Sequence, residues 1–119
     1  MEQVEQEKPK KKKGKSPTQR SLEYLRKAGY LPAVVEKWNP HAGIRQDLYG
    51  FIDVVAIRRD ETLAVQACSG AGGDPAERVR KISEHPNVAR VREANWRIMV
   101  HAWRKNAQGR WVLREIDVS

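Results

Sequence analysis

The chain has 119 residues, a formal net charge of +8 and one cysteine, Cys68. That length suggests one domain with a small core, and a lone cysteine excludes an intrachain disulfide or a multi-cysteine zinc site. No long apolar run is present and no apolar stretch follows the basic N-terminus, so neither a transmembrane helix nor a secretory signal is expected, and the expected location is cytoplasmic.

MEQVEQEKPKKKKGK, residues 1–15, has six lysines (Lys8, Lys10, Lys11, Lys12, Lys13 and Lys15) against three glutamates and almost nothing apolar. Such a segment buries too little surface to offset the entropy of ordering, so it reads as a disordered basic tail ahead of a domain over 16–119. The rest of the chain holds 17 basic against 12 acidic residues, so the body is basic as well. A polyanionic partner fits this balance, and nucleic acid is the commonest one; solubility alone is the plainer alternative.

SPTQRSLEYLRKAGY opens the domain with a helix. Ser16 is the expected N-cap, Pro17 suits the first turn, Gln19 completes a capping box, and Gly29 ends the helix. Thr18, Leu22, Leu25 and Gly29 share one stripe. LPAVVEKW reads as a strand and NPHAGIRQDLYG as a loop. FIDVVAI is nearly continuous in apolar residues, as a strand buried on both faces would be. Arg58 to Glu61 make a turn, TLAVQAC is the partner strand, and SGAGG is a flexible connection. Asp74 to Glu77 form a second capping box for a helix that carries Val79 and Ile82 inward. Pro86 interrupts it and starts a short third helix through VARVREA. WRIMVHAW is a strand, NAQG a turn, and RWVLREIDV the returning arm of a hairpin. The fold expected is α/β, a small mixed central sheet flanked by helices, in the order α-β-β-β-α-α-β-β.

Asp53 stands out because Phe51, Ile52, Val54 and Val55 surround it. A carboxylate in such a strand is costly to bury without a partner. It is either held by a salt bridge or a turn hydrogen bond, or it ligates a metal at the strand's edge. Hard cations such as Mg²⁺ take carboxylate oxygens, keep several waters and assist phosphodiester cleavage. Asp47, in RQDLYG, is a turn or capping residue on one reading and a second ligand on the other. Glu36, in VVEKW, faces either the site or solvent.

Residues 16–105 resemble the PD-(D/E)XK nuclease superfamily, and in particular its small Holliday-junction-resolvase-like members. Those proteins set a glutamate in a first helix, an aspartate on the first strand of a hairpin, an acid-x-lysine triplet on the second, and then a helix. Glu23, Asp53 and Gln66-Ala67-Cys68 occupy these positions here. WNPHAGIRQDLYGFIDVVAI to HAWRKNAQGRW is similar, more narrowly, to a group of uncharacterised phage and bacterial proteins with that core. The resemblance implies a restriction-endonuclease-like sheet and a Mg²⁺- or Mn²⁺-dependent DNA endonuclease acting on branched or phage DNA. Glu23, Asp53, Gln66 and Lys81 would be its catalytic residues and Asp47, Asp53 and Gln66 its metal ligands. Junction-cleaving relatives act as dimers, so it also implies a homodimer with a two-fold pair of sites.

This sequence departs from the pattern at the triplet. Gln66 replaces the acid, and its amide oxygen can ligate a metal but adds no charge; a plain hydrogen-bonding role fits it equally. Cys68 replaces the lysine that would steady developing negative charge, and a lone strand cysteine reads as a small core residue. Arg78 and Lys81, three apart on the second helix, share a face, and Lys81 is the candidate for the displaced cation; a solvated basic face is the plainer account. The residues expected to touch DNA are Lys10 to Lys13, Lys15, Arg78, Lys81, Arg104 and Lys105. Trp96 is in phase with Ile98 and Val100 and should sit in the core. Trp103 either stacks a base or lies on a sheet face covered by a helix. SGAGG lacks a P-loop's Gly-Lys-Ser/Thr ending and matches no dinucleotide fingerprint, so no nucleotide cofactor is expected.

Two other functions suit the same features. One is a catalytically inactive nuclease-fold module that holds DNA, favoured by Gln66 and Cys68. The other is a structural or regulatory phage protein whose tail binds acidic protein. Steep weakening by salt distinguishes contact with several phosphates from the latter.

Overall fold

The structure is a computed structural model, which describes residues 14–69 and 75–119. The expected capping box at Asp74, most of the SGAGG connection and Lys10 to Lys13 lie outside the described residues.

Helix α1 spans Pro17–Lys27 and opens as its sequence demands. The Ser16 hydroxyl accepts the Gln19 N–H at 3.1 Å, and the Gln19 amide oxygen accepts the Ser16 N–H at 3.0 Å, so two otherwise orphaned donors are satisfied. At the other end Gly29 takes φ 92°, a conformation that carries almost no penalty for glycine, and Arg58 donates to the Ala28 carbonyl at 2.7 Å.

The chain then runs through β1 (Leu31–Val34), β2 (Lys37–Asn39), β3 (Ile44–Gln46), β4 (Val54–Arg58), β5 (Glu61–Ser69), α2 (Pro75–Ser83), α3 (Val88–Glu93), β6 (Arg97–Lys105) and β7 (Trp111–Asp117). The fold is α/β. A mixed sheet of order β1-β4-β5-β6-β7 is flanked by α1, α2 and α3, while β2 and β3 pair apart from it. Among the described residues, β5 and β6 are the one neighbouring pair of strands that runs parallel. That pairing requires a crossover, which α2 and α3 supply.

The two-residue alternation of β5 sorts the core into two layers. Leu63 and Val65 join Val54, Ala56, Met99 and Leu25 beneath α1. Ala64 and Cys68 join Ile98, Val100, Ala102, Ile82, Val88 and Val91 beneath α2 and α3. Ile82 is buried and Val79 packs against this second layer, as expected.

Three expectations need correction. LPAVVEKW is not one strand: β1 stops at Val34, and β2 begins at Lys37 to pair with β3, inside the expected loop. FIDVVAI is strand only from Val54. Tyr49 at φ 55° and Gly50 at φ 90° fold the chain back so that Leu48 bridges Ile52, which leaves Phe51 to Asp53 as an approach to β4. Nor is β4 buried on both faces: Ile57 is 48% exposed, opposite Leu31 of the edge strand β1. No helix among the described residues is long and apolar enough to cross a membrane.

Candidate metal centre

Asp53 lies just before β4, and its backbone is already in the sheet: its N–H donates to the Val65 carbonyl at 2.9 Å, and its carbonyl accepts the Val35 N–H at 2.9 Å. The second of these bonds draws the β1–β2 connection alongside, and with it Glu36. Asp47 arrives from the other direction, at the start of the tight turn in which the Gly50 N–H donates to the Asp47 carbonyl at 3.1 Å. One carboxylate oxygen from each of Glu36, Asp47 and Asp53 lies within 4.8 Å of the others. Asp53 is buried and the other two are half-buried.

The Ala67 N–H donates to Asp53 Oδ2 at 2.9 Å and fixes that carboxyl against β5. Gln66, on the α2 side of β5 by alternation with Ala64 and Cys68, brings its amide to the same place. Its Nε2 donates to Asp47 Oδ2 at 3.2 Å and, weakly, to Asp53 Oδ1 at 3.5 Å. Its nitrogen faces the carboxylates in place of its oxygen, because two acceptors leave the donor end as the better fit.

Withdrawal from water pushes the Asp53 carboxyl up to about 7, and the nearby Asp47 and Glu36 charges add to the rise, while the Ala67 N–H opposes it. Nearby like charges disfavour the ionised form of Asp53, so a proton or a cation at this point relieves their repulsion. A donor set of three carboxylates gathered at a strand's mouth suits a hard divalent cation, so the residues present fit Mg²⁺ or Mn²⁺.

The other expected site residues are distributed differently. Glu23 is exposed on α1, where the Lys15 ammonium 2.6 Å away holds its carboxyl below the usual range. It is paired with the tail's last lysine and is not part of the Asp53 group. Burial pushes the Cys68 thiol up; Arg78 pulls it back and Asp53 adds to the rise. Cys68 is thus a neutral core thiol, and Arg78 is a cation whose charge reaches it. Lys81 is exposed on α2, and Arg104 and Lys105 are exposed at the end of β6. Lys105 Nζ stands 5.6 Å from the Trp111 ring centre and the Arg20 guanidinium carbon 4.3 Å from it, which makes a basic and aromatic surface there. Trp96 is partly buried against the core. Trp103 is buried, with its Nε1–H donating to Ser21 Oγ at 2.9 Å, so it offers no face for a base.

Sequence reasoning missed a polar chain under α1. Ser21 Oγ lies 2.9 Å from His101 Nδ1, His101 Nε2 lies 3.1 Å from Glu115 Oε2, and the Tyr24 hydroxyl donates to Glu115 Oε1 at 3.1 Å. Burial holds the His101 imidazole below its usual range against the pull of Glu115. The neutral ring satisfies every member: Trp103 donates to Ser21, Ser21 to His101 Nδ1, and Nε2–H to Glu115. The order serine, histidine, carboxylate does not make a nucleophile, because Ser21 is fully buried. The partners are some 80 residues apart along the chain, so no local motif announces them.

The chain matches no family model, no curated protein and no solved structure.

Proposed function

We propose that this protein is a divalent-metal-dependent DNA endonuclease of PD-(D/E)XK type. The observation that carries the reading is the convergence of Glu36, Asp47 and Asp53 on one point beside a strand whose neighbouring residues are Gln66 and Cys68. The topology supports it: an antiparallel β1-β4-β5 meander, a helical crossover and a parallel β6, with Asp53 before the second meander strand and Gln66 on the third. The positive charge of the body supplies attraction for a phosphate backbone. The same reading favours a cytoplasmic location.

Glu36, Asp47 and Asp53 would hold Mg²⁺ or Mn²⁺, which when bound supplies an activated water and stabilises charge on a departing oxygen. The chain's own groups do the positioning. Ala67 N–H fixes Asp53, Gln66 bridges Asp47 and Asp53, and burial excludes bulk water from the deepest carboxyl. Arg78 stands where its charge reaches the Cys68 position and is the candidate to steady a phosphoryl oxygen in place of the displaced lysine.

One observation favours a second reading, the inactive DNA-binding module: the Gln66 amide N–H occupies the ground between two carboxylates that a cation would take. A cleavage assay separates the two. Purified protein is incubated with duplex, flap and four-way-junction DNA, with Mg²⁺, with Mn²⁺ and with chelator. The endonuclease reading expects metal-dependent cuts that vanish with chelator and in Asp53→Asn. Uncut DNA that is nevertheless bound, in every metal condition, establishes the inactive module instead.

A further inference from the structure

The turn that presents Asp47 also presents Tyr49, two residues on, and turns its ring outward. Tyr49 is 51% exposed, which is unusual for a residue held so firmly. Its backbone is in the left-handed region at φ 55°, a strained choice for a bulky side chain. Two groups from the α2–α3 connection hold it there. Asn87 Nδ2 donates to the Tyr49 carbonyl at 3.0 Å, and the His85 ring packs so tightly on Gly50 that a Cβ there would lie 2.3 Å from Nε2. The strain is therefore maintained by neighbours and not relieved by burial of the ring.

Tyr49 forms one wall of a cavity of about 380 Å³, with Asn87, Arg90, Val91, Ala94 and Trp96 as the remainder. That is within the range of small-ligand sites, roughly 300–1,000 Å³. The Tyr49 and Trp96 rings are 6.2 Å apart, centre to centre, and inclined at 51°. Trp96 packs against the core with part of its ring exposed, while Tyr49 is free on its outer side. Arg90 has no ion-pair partner among the described residues, so its guanidinium is available at the rim. Two aromatic faces over an apolar floor, with one cation and one amide at the edge, match a flat heteroaromatic ring that carries a phosphate. In a chain of net charge +8, that ligand is a nucleotide unit of a nucleic acid.

We infer that Tyr49, Trp96 and Arg90 form a pocket for one unstacked nucleobase of the DNA strand held at the carboxylate cluster. A base inside a regular duplex has both faces covered, so only an unpaired or extruded base can enter. The substrate class is then DNA with an unpaired base beside the phosphate to be cut, as in bulges, single strands and branch points. This inference rests on the nuclease-fold reading above.

The test uses the full chain in chelator, to prevent cutting, and two oligonucleotide duplexes of one sequence. One is fully paired, and the other carries a single-nucleotide bulge with 2-aminopurine as the unpaired base. Base-on-aromatic stacking of about 1–3 kcal/mol corresponds to roughly a 5- to 150-fold preference for the bulge, with a change in 2-aminopurine fluorescence on binding. Tyr49→Gly suits the left-handed backbone and should fold; it should erase the preference and keep duplex affinity within about twofold. Arg90→Ala, on an exposed helix position, should weaken the preference in the same direction. Equal affinity of the wild type for both duplexes, or a preference that survives Tyr49→Gly, overturns the pocket and leaves the nuclease reading standing. A cavity built for a protein side chain gives that same result. Failure to bind either duplex overturns both.

Discussion

A carboxyl buried beside two others must settle its charge somehow, and Asp53 does so by holding its proton to about pH 7. The consequence for stability has a definite sign. A folded-state value raised above the unfolded one, near 3.9, means that the native protein binds the proton more tightly between about pH 4 and 7. The stability from this group is complete below that window and is lost as pH rises through it. His101 acts oppositely, because burial holds its folded value low, and it is shared by wild type and an Asp53 variant. The difference between the two isolates Asp53. Melting temperatures of metal-free protein from pH 5 to 8 should fall for wild type relative to Asp53→Asn, and Mn²⁺ should narrow the gap by taking the proton's place. Parallel curves for the two proteins would show that Asp53 holds no such proton. Gln66 belongs to the same balance. Its N–H bonds to Asp47 and Asp53 soften the repulsion among the acids when no cation is present.

Helix α1 is tied to the sheet by more than its apolar stripe. Ser21 links His101 and Trp103, both on β6, and has no contact with water. Ser21→Ala raises helix propensity yet strands the Trp103 N–H and the His101 Nδ1 without a partner, so it should destabilise by about 1–3 kcal/mol. Urea unfolding measures this directly, and an unchanged midpoint would mean that the chain of bonds contributes nothing. The contrast with the start of α1 shows what a sequence can disclose. The Ser16–Gln19 capping box is visible because its partners are three residues apart. Asp53 is visible because one acid among Phe51, Ile52, Val54 and Val55 breaks a pattern. Glu36 could not be assigned a side, because its position depends on the Val35 N–H reaching the Asp53 carbonyl across the sheet. The β2–β3 pair and the turn at Tyr49 were hidden for related reasons. Lys37 to Gln46 lack strand alternation, and Tyr49 adopts a backbone usually reserved for glycine. The two buried layers, by contrast, follow from the alternation in β5, which is local and regular.

At the scale of the whole molecule, charge is arranged as an acidic point on a basic body. The six lysines of the first fifteen residues precede α1, and Lys15 there engages Glu23 in an exposed pair worth little to stability. Deleting residues 1–13 should leave the melting temperature within about 1 °C, since the capping box at Ser16 is retained. It should also flatten the salt dependence of DNA binding, by close to 0.9 in log–log slope for each phosphate that the tail neutralises. A slope unchanged by the deletion would show that the tail does not touch DNA. The proposed activity depends on the three carboxylates acting as one cation site, and titration calorimetry with Mn²⁺ near neutral pH addresses this most directly. Wild type should bind saturably and release a proton, Gln66→Glu should bind more tightly because a fourth carboxylate faces the ion, and Asp53→Asn should show no binding. Heats of dilution alone for wild type and Gln66→Glu would contradict the cation site and leave Asp53 as a structural acid.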